Sequence, residues 1–222
     1  MATGARAMAD DLLRAVFFRA SRDPVLTHRL HVFRKELFVD ELGWDLAVSG
    51  EAERDQFDLM DPMNCALFVG DDLVGTFRAL RCDRAYLGKE VFPQLAWTHP
   101  YPTSSECWEI SRLGMMRAHR RHAKALYAAM FAFGWMRSAR ALVAIADLEY
   151  ERFLHVLGIE THRYGPPQEI GRDLRGRPIV AVAGEIPLRD QPPALVAKMH
   201  ALLDTMEITD ETLVLGSRRV PA

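Results

Sequence analysis

The sequence predicts a mixed α/β or α+β sandwich, a sheet covered by helices. Three observations carry that expectation. Two short apolar runs, Cys65 to Val69 and Leu73 to Leu80, flank Gly70-Asp71-Asp72 and read as a hairpin. After Glu106 the pattern changes, and strand-like runs alternate with helix-like ones. The 222 residues are 49% hydrophobic and 26% charged, an ordinary globular balance. One domain over residues 1–222 is expected, with its core at about 10–188 and a C-terminal helix and tail over 189–222.

The elements follow in order. The run LLRAVFF between Asp11 and Arg19 suits a first strand or a turn of helix. Asp23-Pro24 punctuates the chain. Leu26, Leu30, Phe33, Leu37 and Leu42 then recur at helical spacing from Val25 to Leu42, and Gly43 is a plausible stop. Asp45 to Met63 reads as a long loop whose length argues for a function, and Tyr86 to Ser105 as another long loop, rich in proline. Glu106 to Met115 suits a strand and His119 to Arg137 a strong amphipathic helix. A short buried strand is expected at Ala141 to Ala146, then a helix from Asp147 to Leu157 stopped by Gly158. Gly165-Pro166-Pro167 is a turn, Pro178 to Ile186 a late strand and Pro192 to Met206 a last helix. A loosely attached tail is expected after Ile208.

Composition excludes several classes. A membrane span needs roughly 18 consecutive apolar residues. The longest apolar stretch, Ala125 to Met136, is shorter and contains Gly134. Asp10 and Asp11 stand where a signal peptide would need its apolar stretch. Cys65, Cys82 and Cys107 form no CxxC and are read as reduced cytosolic thiols, which places the chain in the cytoplasm. No GxGxxG or Walker-type loop supports a common nucleotide-binding fold. Charge is uneven. Ile110 to Ala146 holds seven basic residues and no acidic one, so the remaining 21 basic residues face all 30 acidic ones. A basic zone on an acidic protein suits an anionic partner or a solvated helix face. Nucleic acid is disfavoured, because there is no motif and the surface outside that zone is acidic.

Several charges sit in apolar surroundings: Arg34 between Phe33 and Phe38, Arg78 in LVGTFRAL, and Glu109 and Arg112 in CWEISRLGM. Strand alternation puts Trp108, Ile110 and Arg112 on one face and Glu109, Ser111 and Leu113 on the other, unless a bulge intervenes. Ionised side chains in strands are rarely buried unless paired. The loop ERDQFD offers Asp55 and Asp58 as partners. Three positive groups (Arg34, Arg78, Arg112) thus stand against three negative ones (Asp55, Asp58, Glu109). Such a set is either a structural ion-pair network or a polar cleft for a zwitterionic ligand. Phe38 and Trp44 could wall such a cleft for a base or a sulfonium, or simply pack in the core.

Five pieces in order now form a pattern: Arg34 through Trp44 (RKELFVDELGW), Asp55-Gln56-Phe57-Asp58, Gly75-Thr76-Phe77-Arg78, Val91-Phe92-Pro93 and Trp108-Glu109-Ile110-Ser111-Arg112. From about Val25 to Leu188 the chain resembles the acyl-homoserine-lactone synthases, the LuxI-type autoinducer synthases of bacterial quorum sensing. The family's signature positions fall on Arg34, Phe38, Trp44, Asp55, Asp58, Arg78, Phe92, Glu109 and Arg112. Leu113 stands where the family often has Phe, a departure expected to touch packing more than chemistry.

The resemblance implies a GNAT acyltransferase-like fold, a three-layer sandwich with a splayed mixed sheet. It implies acyl transfer from an acyl-thioester to the α-amine of S-adenosylmethionine, then lactone closure with release of methylthioadenosine. S-adenosylmethionine is a substrate, and neither a cofactor nor a metal is expected. Glu109 is the expected base, direct or through water, with Arg112 and Asp55 beside it. Arg34, Phe38, Trp44, Asp58, Arg78 and Phe92 are expected to hold S-adenosylmethionine.

The basic zone then becomes the expected dock for the acyl donor. Arg117, Arg120, Arg121 and Lys124 would suit an acidic acyl-carrier protein, the favoured partner, or the 3′-phosphate of coenzyme A. His119 and His122 among them lack the further ligands that zinc requires. Met115, Met130, Phe133 and Ala144 are expected acyl-pocket residues, with Met116, Phe131 and Trp135 as further candidates. Members that prefer 3-oxo chains resemble one another in a Thr where Ala144 stands. Ala offers a 3-oxo group no hydroxyl, so an unsubstituted, branched or aromatic acyl group is expected. An ordinary GNAT N-acetyltransferase using acetyl-CoA would want a Q/RxxGxG/A turn, but Arg112-Leu-Gly-Met-Met-Arg-Ala-His has one Gly. A non-catalytic acyl- or adenosyl-binding module would need no base at Glu109.

Overall fold

The computed structural model describes residues 12–212. Strand β1 (Leu13–Arg19) opens the sheet, which settles LLRAVFF as a strand. Helix α1 (Pro24–Arg34) starts where the Asp23 carboxylate accepts the Leu26 N–H at 2.8 Å, with proline in its first turn. It continues as a π-helix over Lys35–Glu41. Gly43 then takes φ +73°, a left-handed value that suits glycine.

The segment expected as one long loop carries a small hairpin, β2 (Val48–Ser49) with β3 (Ala52–Glu53), and a 3₁₀ turn at Gln56–Met60. Strands β4 (Met63–Val69) and β5 (Asp72–Arg81) form the expected hairpin. The second long loop holds a short helix, α2 (Leu87–Val91), and a 3₁₀ turn at Pro93–Leu95. Then come β6 (Cys107–Met115), a 3₁₀ turn (Arg117–His122), α3 (Ala123–Met136), β7 (Ala141–Asp147) and α4 (Leu148–Leu157). Gly158 ends α4 at φ +85°. The chain continues through β8 (His162–Arg163), β9 (Gln168–Arg172), β10 (Pro178–Pro187), α5 (Pro193–Leu203) and β11 (Met206–Asp210).

One mixed sheet runs in the order β11-β1-β4-β5-β6-β7-β10-β8, with β9 also on β10. Two of its pairings are parallel, β1 with β11 and β6 with β7. The β6–β7 ladder covers only Cys107–Glu109 against Ala141–Val143. Both strands run on past it, so the sheet is splayed beyond Glu109. Helices α3, α4 and α5 pack on one face and build the main core with Phe17, Phe77, Trp108 and Ile110. On the other face, α1 covers Val16, Phe18, Ala66 and Phe68, while residues 57–101 cover Cys107, Ala141 and Val143. That is the three-layer sandwich expected. No helix among the described residues is long and apolar enough to cross a membrane.

Three expectations need correction. The helix after β6 is not amphipathic. From Ala125 to Gly134 every residue is buried, because α5 packs on α3 as well as the sheet. The core does not end near residue 188, since Leu195, Met199 and Leu203 of α5 join it. The chain after Ile208 is not loose up to the last described residue. Met206–Asp210 pairs with β1, and Asp210 accepts a hydrogen bond from Arg137 at 2.9 Å.

Candidate active site

Two elements set the geometry. The first is the turn after β3. The Asp55 carboxylate accepts the Phe57 N–H at 2.9 Å, and Asp58 returns to accept the Asp55 N–H at 2.9 Å. This reciprocal cap fixes both carboxylates on a 3₁₀ turn. The second is a bulge in β6. Arg112 and Leu113 together oppose Phe77, and Arg112 takes φ +52°. A non-glycine residue in that region is strained and stays there only when its surroundings hold it. The bulge breaks the expected parity. It turns Arg112 to the face of Glu109 and Ser111 instead of that of Trp108 and Ile110.

On that face six charges interlock. Arg34 ends α1 and donates from Nε to Glu53 Oε2 at 2.6 Å and from Nη1 to Asp58 Oδ1 at 2.8 Å. Arg78 on β5 donates from Nη2 to Asp55 at 2.9 Å, from Nη1 to Asp58 at 3.1 Å and from Nε to Ser111 Oγ at 3.1 Å. Arg112 donates from Nη2 to Glu53 at 2.8 Å and to Asp55 at 3.0 Å. Burial alone would raise the Asp58 carboxyl. His31, Arg34 and Arg78 outweigh it and hold that carboxyl well below the usual range. Asp55 is also lowered, its burial offset by Arg78 and Arg112.

The expected roster of three against three holds in number and changes in membership. Glu53 is the third carboxylate of the network, not Glu109. Glu53 lies two residues before Asp55 in the same ERDQFD run, in a polar stretch that does not single it out from sequence.

Glu109 stands apart. Its carboxylate accepts the backbone N–H groups of Leu87 at 2.9 Å and Gly88 at 2.6 Å, in the first turn of α2. It is 1% exposed. Burial raises it, the Gly88 and Leu87 N–H groups and Arg78 pull the other way, and the result is a carboxyl pushed up to about 7. Gly88 makes the approach possible. A Cβ there would lie 2.9 Å from the Tyr101 ring and 3.1 Å from Glu109 Oε1.

The aromatic candidates divide. Phe38 stacks on Trp44 with ring centroids 5.1 Å apart, and Trp44 keeps 36% of its surface exposed. Gly114 on β6 admits this pair, since a Cβ there would meet Leu37 at 2.9 Å and Phe38 at 3.0 Å. Phe92 lies half-buried in a different cluster, with Tyr86, Leu95 and Tyr101.

The acyl-pocket candidates are not gathered into one cavity. Met130 and Phe133 are core residues, and Phe133 meets Phe17, Phe77 and Trp108 edge-on at 5.3–5.5 Å. Met115 is half-buried against the same core. Ala144 instead lines a cavity of about 30 Å³ between β7, β10 and α4, with Ala146, Leu154 and Gly184. Arg117, Arg120, Arg121 and Lys124 are exposed together on the 3₁₀ turn and the first turn of α3.

A mixed sheet that parts beside a buried carboxylate, under helices on both faces, is a GNAT-like fold. The chain belongs to the autoinducer synthase family, whose model matches residues 20–182. The acyl-homoserine-lactone synthase of Acinetobacter nosocomialis is 33% identical over 153 residues, 62% of this chain and 82% of that one. The structure of TofI in a ternary complex with an inhibitor and MTA matches with TM-score 0.67 at 30% identity, over 82% of this chain and 99% of that one. BjaI, a CoA-dependent acyl-homoserine lactone synthase with SAM and isopentyl-CoA, matches with TM-score 0.76 over 91% of this chain and 95% of that one. At 20% identity that likeness speaks to the fold alone. The activity of this chain is therefore acyl-homoserine-lactone synthesis.

Proposed function

We propose that Glu109 is the base of this reaction and that the neutral six-charge network holds the amino-acid end of S-adenosylmethionine. The observation that carries this reading is the buried Glu109 carboxylate on two backbone N–H groups, one residue from Ile110 where β6 and β7 have parted, a setting that pushes the carboxyl up to about 7. A free α-amine has a pKa of about 7.7–8.0. Base and amine are thus nearly matched, the condition under which proton transfer is efficient. The neutral amine attacks the thioester carbonyl, the amide forms and the thiol leaves with the proton. The substrate carboxylate then attacks its own γ-carbon. The carbon–sulfur bond breaks, the sulfonium becomes the neutral thioether methylthioadenosine, and the lactone closes. The second step needs no acid, only aim and exclusion of water. The stacked Phe38 and Trp44 suit a wall for the sulfonium or nucleoside. No cofactor or metal enters the proposed scheme.

The donor is proposed to be an acyl-carrier protein, with coenzyme A thioesters as the second reading. The exposed basic set Arg117, Arg120, Arg121 and Lys124 supports an acidic partner. The acyl group is proposed to lack a 3-oxo substituent, because Ala144 brings no hydroxyl to its cavity. The three buried, unpaired cysteines support a reducing cytoplasm as the working compartment.

The test is mass spectrometry of lactones made by purified protein from S-adenosylmethionine and paired plain and 3-oxo donors, on carrier protein and on coenzyme A. A plain-chain lactone formed faster from carrier protein is expected. Faster turnover of coenzyme A thioesters would reverse the donor assignment, and a 3-oxo preference would overturn the Ala144 argument.

A further inference from the structure

We infer that Glu53 is a positioning residue for substrate recognition: it orients Arg112 so that one edge of its guanidinium is reserved for the substrate carboxylate. The inference rests on the proposed placement of the amino-acid end at the six-charge network.

The hydrogen-bond accounting of the three arginines leads there. In Arg34 and in Arg78 all three guanidinium nitrogens have partners, carboxylates or Ser111 Oγ. Arg112 differs. Its Nε donates to Glu53 at 3.2 Å, and its Nη2 serves Glu53 and Asp55. Its Nη1 has no partner among the described residues. Arg112 and Asp55 are also the members that reach the surface, with side chains 7% and 13% exposed, while Arg34 and Glu53 are at 0%. The network therefore has a closed back and one open donor at the front. A carboxylate is the group that completes a guanidinium edge.

Glu53 sets which edge stays open. It is fully buried on β3 and shared between Arg34 of α1 and Arg112 of the β6 bulge. Its two oxygens take the Nε and Nη2 side of Arg112, so Nη1 is left facing outward. It also ties down a residue whose own backbone is strained at φ +52°. Without Glu53, the Nε side of Arg112 loses its acceptor and the guanidinium loses its aim. Asp55 cannot replace it, being already engaged with Arg78.

The experiment compares two ligands by titration calorimetry: S-adenosylmethionine, and its decarboxylated analogue, which keeps nucleoside, sulfonium and amine. The unmodified protein is expected to prefer the first by about tenfold or more, the scale of a lost charged contact. Glu53→Gln is expected to weaken S-adenosylmethionine about tenfold and leave the analogue within about twofold, so the preference collapses. Equal weakening of both ligands, or an unchanged preference, overturns the inference, since a merely structural residue would not discriminate between them. Arg112→Lys separates the two levels. If it keeps the full preference, the carboxylate is not read by Arg112 and the underlying placement fails. If it loses the preference while Glu53→Gln keeps it, only the positioning role fails. Should Glu53→Gln not fold, Glu53→Asp is decisive: its shorter arm cannot span both arginines, so a folded variant with undiminished preference overturns the inference.

Discussion

Two buried carboxylates on one face of the sheet, Asp58 and Glu109, have opposite fates. Both are almost wholly out of water. Asp58 faces His31, Arg34 and Arg78, and its carboxyl is held far down. Glu109 faces two backbone amides and a more distant Arg78, and its carboxyl rises to about 7. Desolvation is the largest influence on each, and it pushes both upward. Partner type decides the outcome. Guanidinium groups restore an ionised acid, whereas two amide dipoles only moderate the loss of water. The first region is a fixed frame, and the second is poised to exchange a proton near neutrality.

The sharpest way to break this contrast is Glu109→Gln, which keeps shape and removes the base. Turnover at saturating substrate is expected to fall by about a hundredfold to ten-thousandfold, the usual span for losing a general base. In the unmodified enzyme the rate should fall as pH drops below about 7, because the base is then protonated. A rate profile for the variant that keeps this limb would assign the base elsewhere.

Breaking the frame should act on stability instead. Arg34→Met strips Glu53 and Asp58 of a shared partner and leaves buried negative charge. A loss of about 3–5 kcal/mol is expected, read from the urea midpoint at constant slope. A loss below about 1 kcal/mol would mean that the network carries little of the fold.

Stability against pH sharpens the contrast further. Glu109 has a raised folded value, so the folded state binds its proton more tightly than the unfolded chain does. Its stabilising contribution is complete below the model-peptide value of 4.5 and is lost as pH rises through about 7. That shift corresponds to about 3 kcal/mol. Asp58 has the reverse sign: its contribution is present above 3.8 and is lost only as pH falls through its lower folded value. Urea titrations from pH 4 to 8 should show the decline in unmodified protein and a flatter curve in Glu109→Gln. Parallel curves would remove Glu109 as the cause.

The smallest expected effect tests the approach of Glu109 to α2. Gly88→Ala places a Cβ against the Tyr101 ring and Glu109 Oε1. Overpacking of this kind costs about 1–3 kcal/mol. Turnover should drop with it, whereas affinity for S-adenosylmethionine should hold, because the network lies on other elements.

Much of this was legible in the sequence, for identifiable reasons. Gly70-Asp71-Asp72 and Gly158 mark turns because left-handed backbone has few tolerant residues, and both glycines take positive φ. Arg34, Arg78 and Arg112 stood out because charge in an apolar run must be paired. Their partner Glu53 was hidden by its surroundings, a polar loop in which one more acid attracts no notice. The bulge was invisible for a different reason. Neither Arg112 nor Leu113 favours positive φ, so the turn of Arg112 toward Glu53 comes from tertiary contacts. Helix α3 misled by the arginines before it, which belong to the separate 3₁₀ turn, while the helix is buried all round from Ala125 to Gly134. Strand β11 has five residues with only alternating apolar character, and its place at the sheet edge depends on β1, far away in sequence.

That last pairing bears on how the chain is made. Leu13 meets Met206 and Phe17 meets Asp210, so this edge of β1 waits for its partner until Met206–Asp210 have left the ribosome. At typical elongation rates the wait is on the order of ten to forty seconds. Throughout it the nascent chain presents a row of unsatisfied amides beside Phe17 and Phe18, the kind of surface through which two growing copies adhere. Slow synthesis at high expression would therefore favour aggregates joined through β1, and holding-type chaperones would be needed most before β11 emerges.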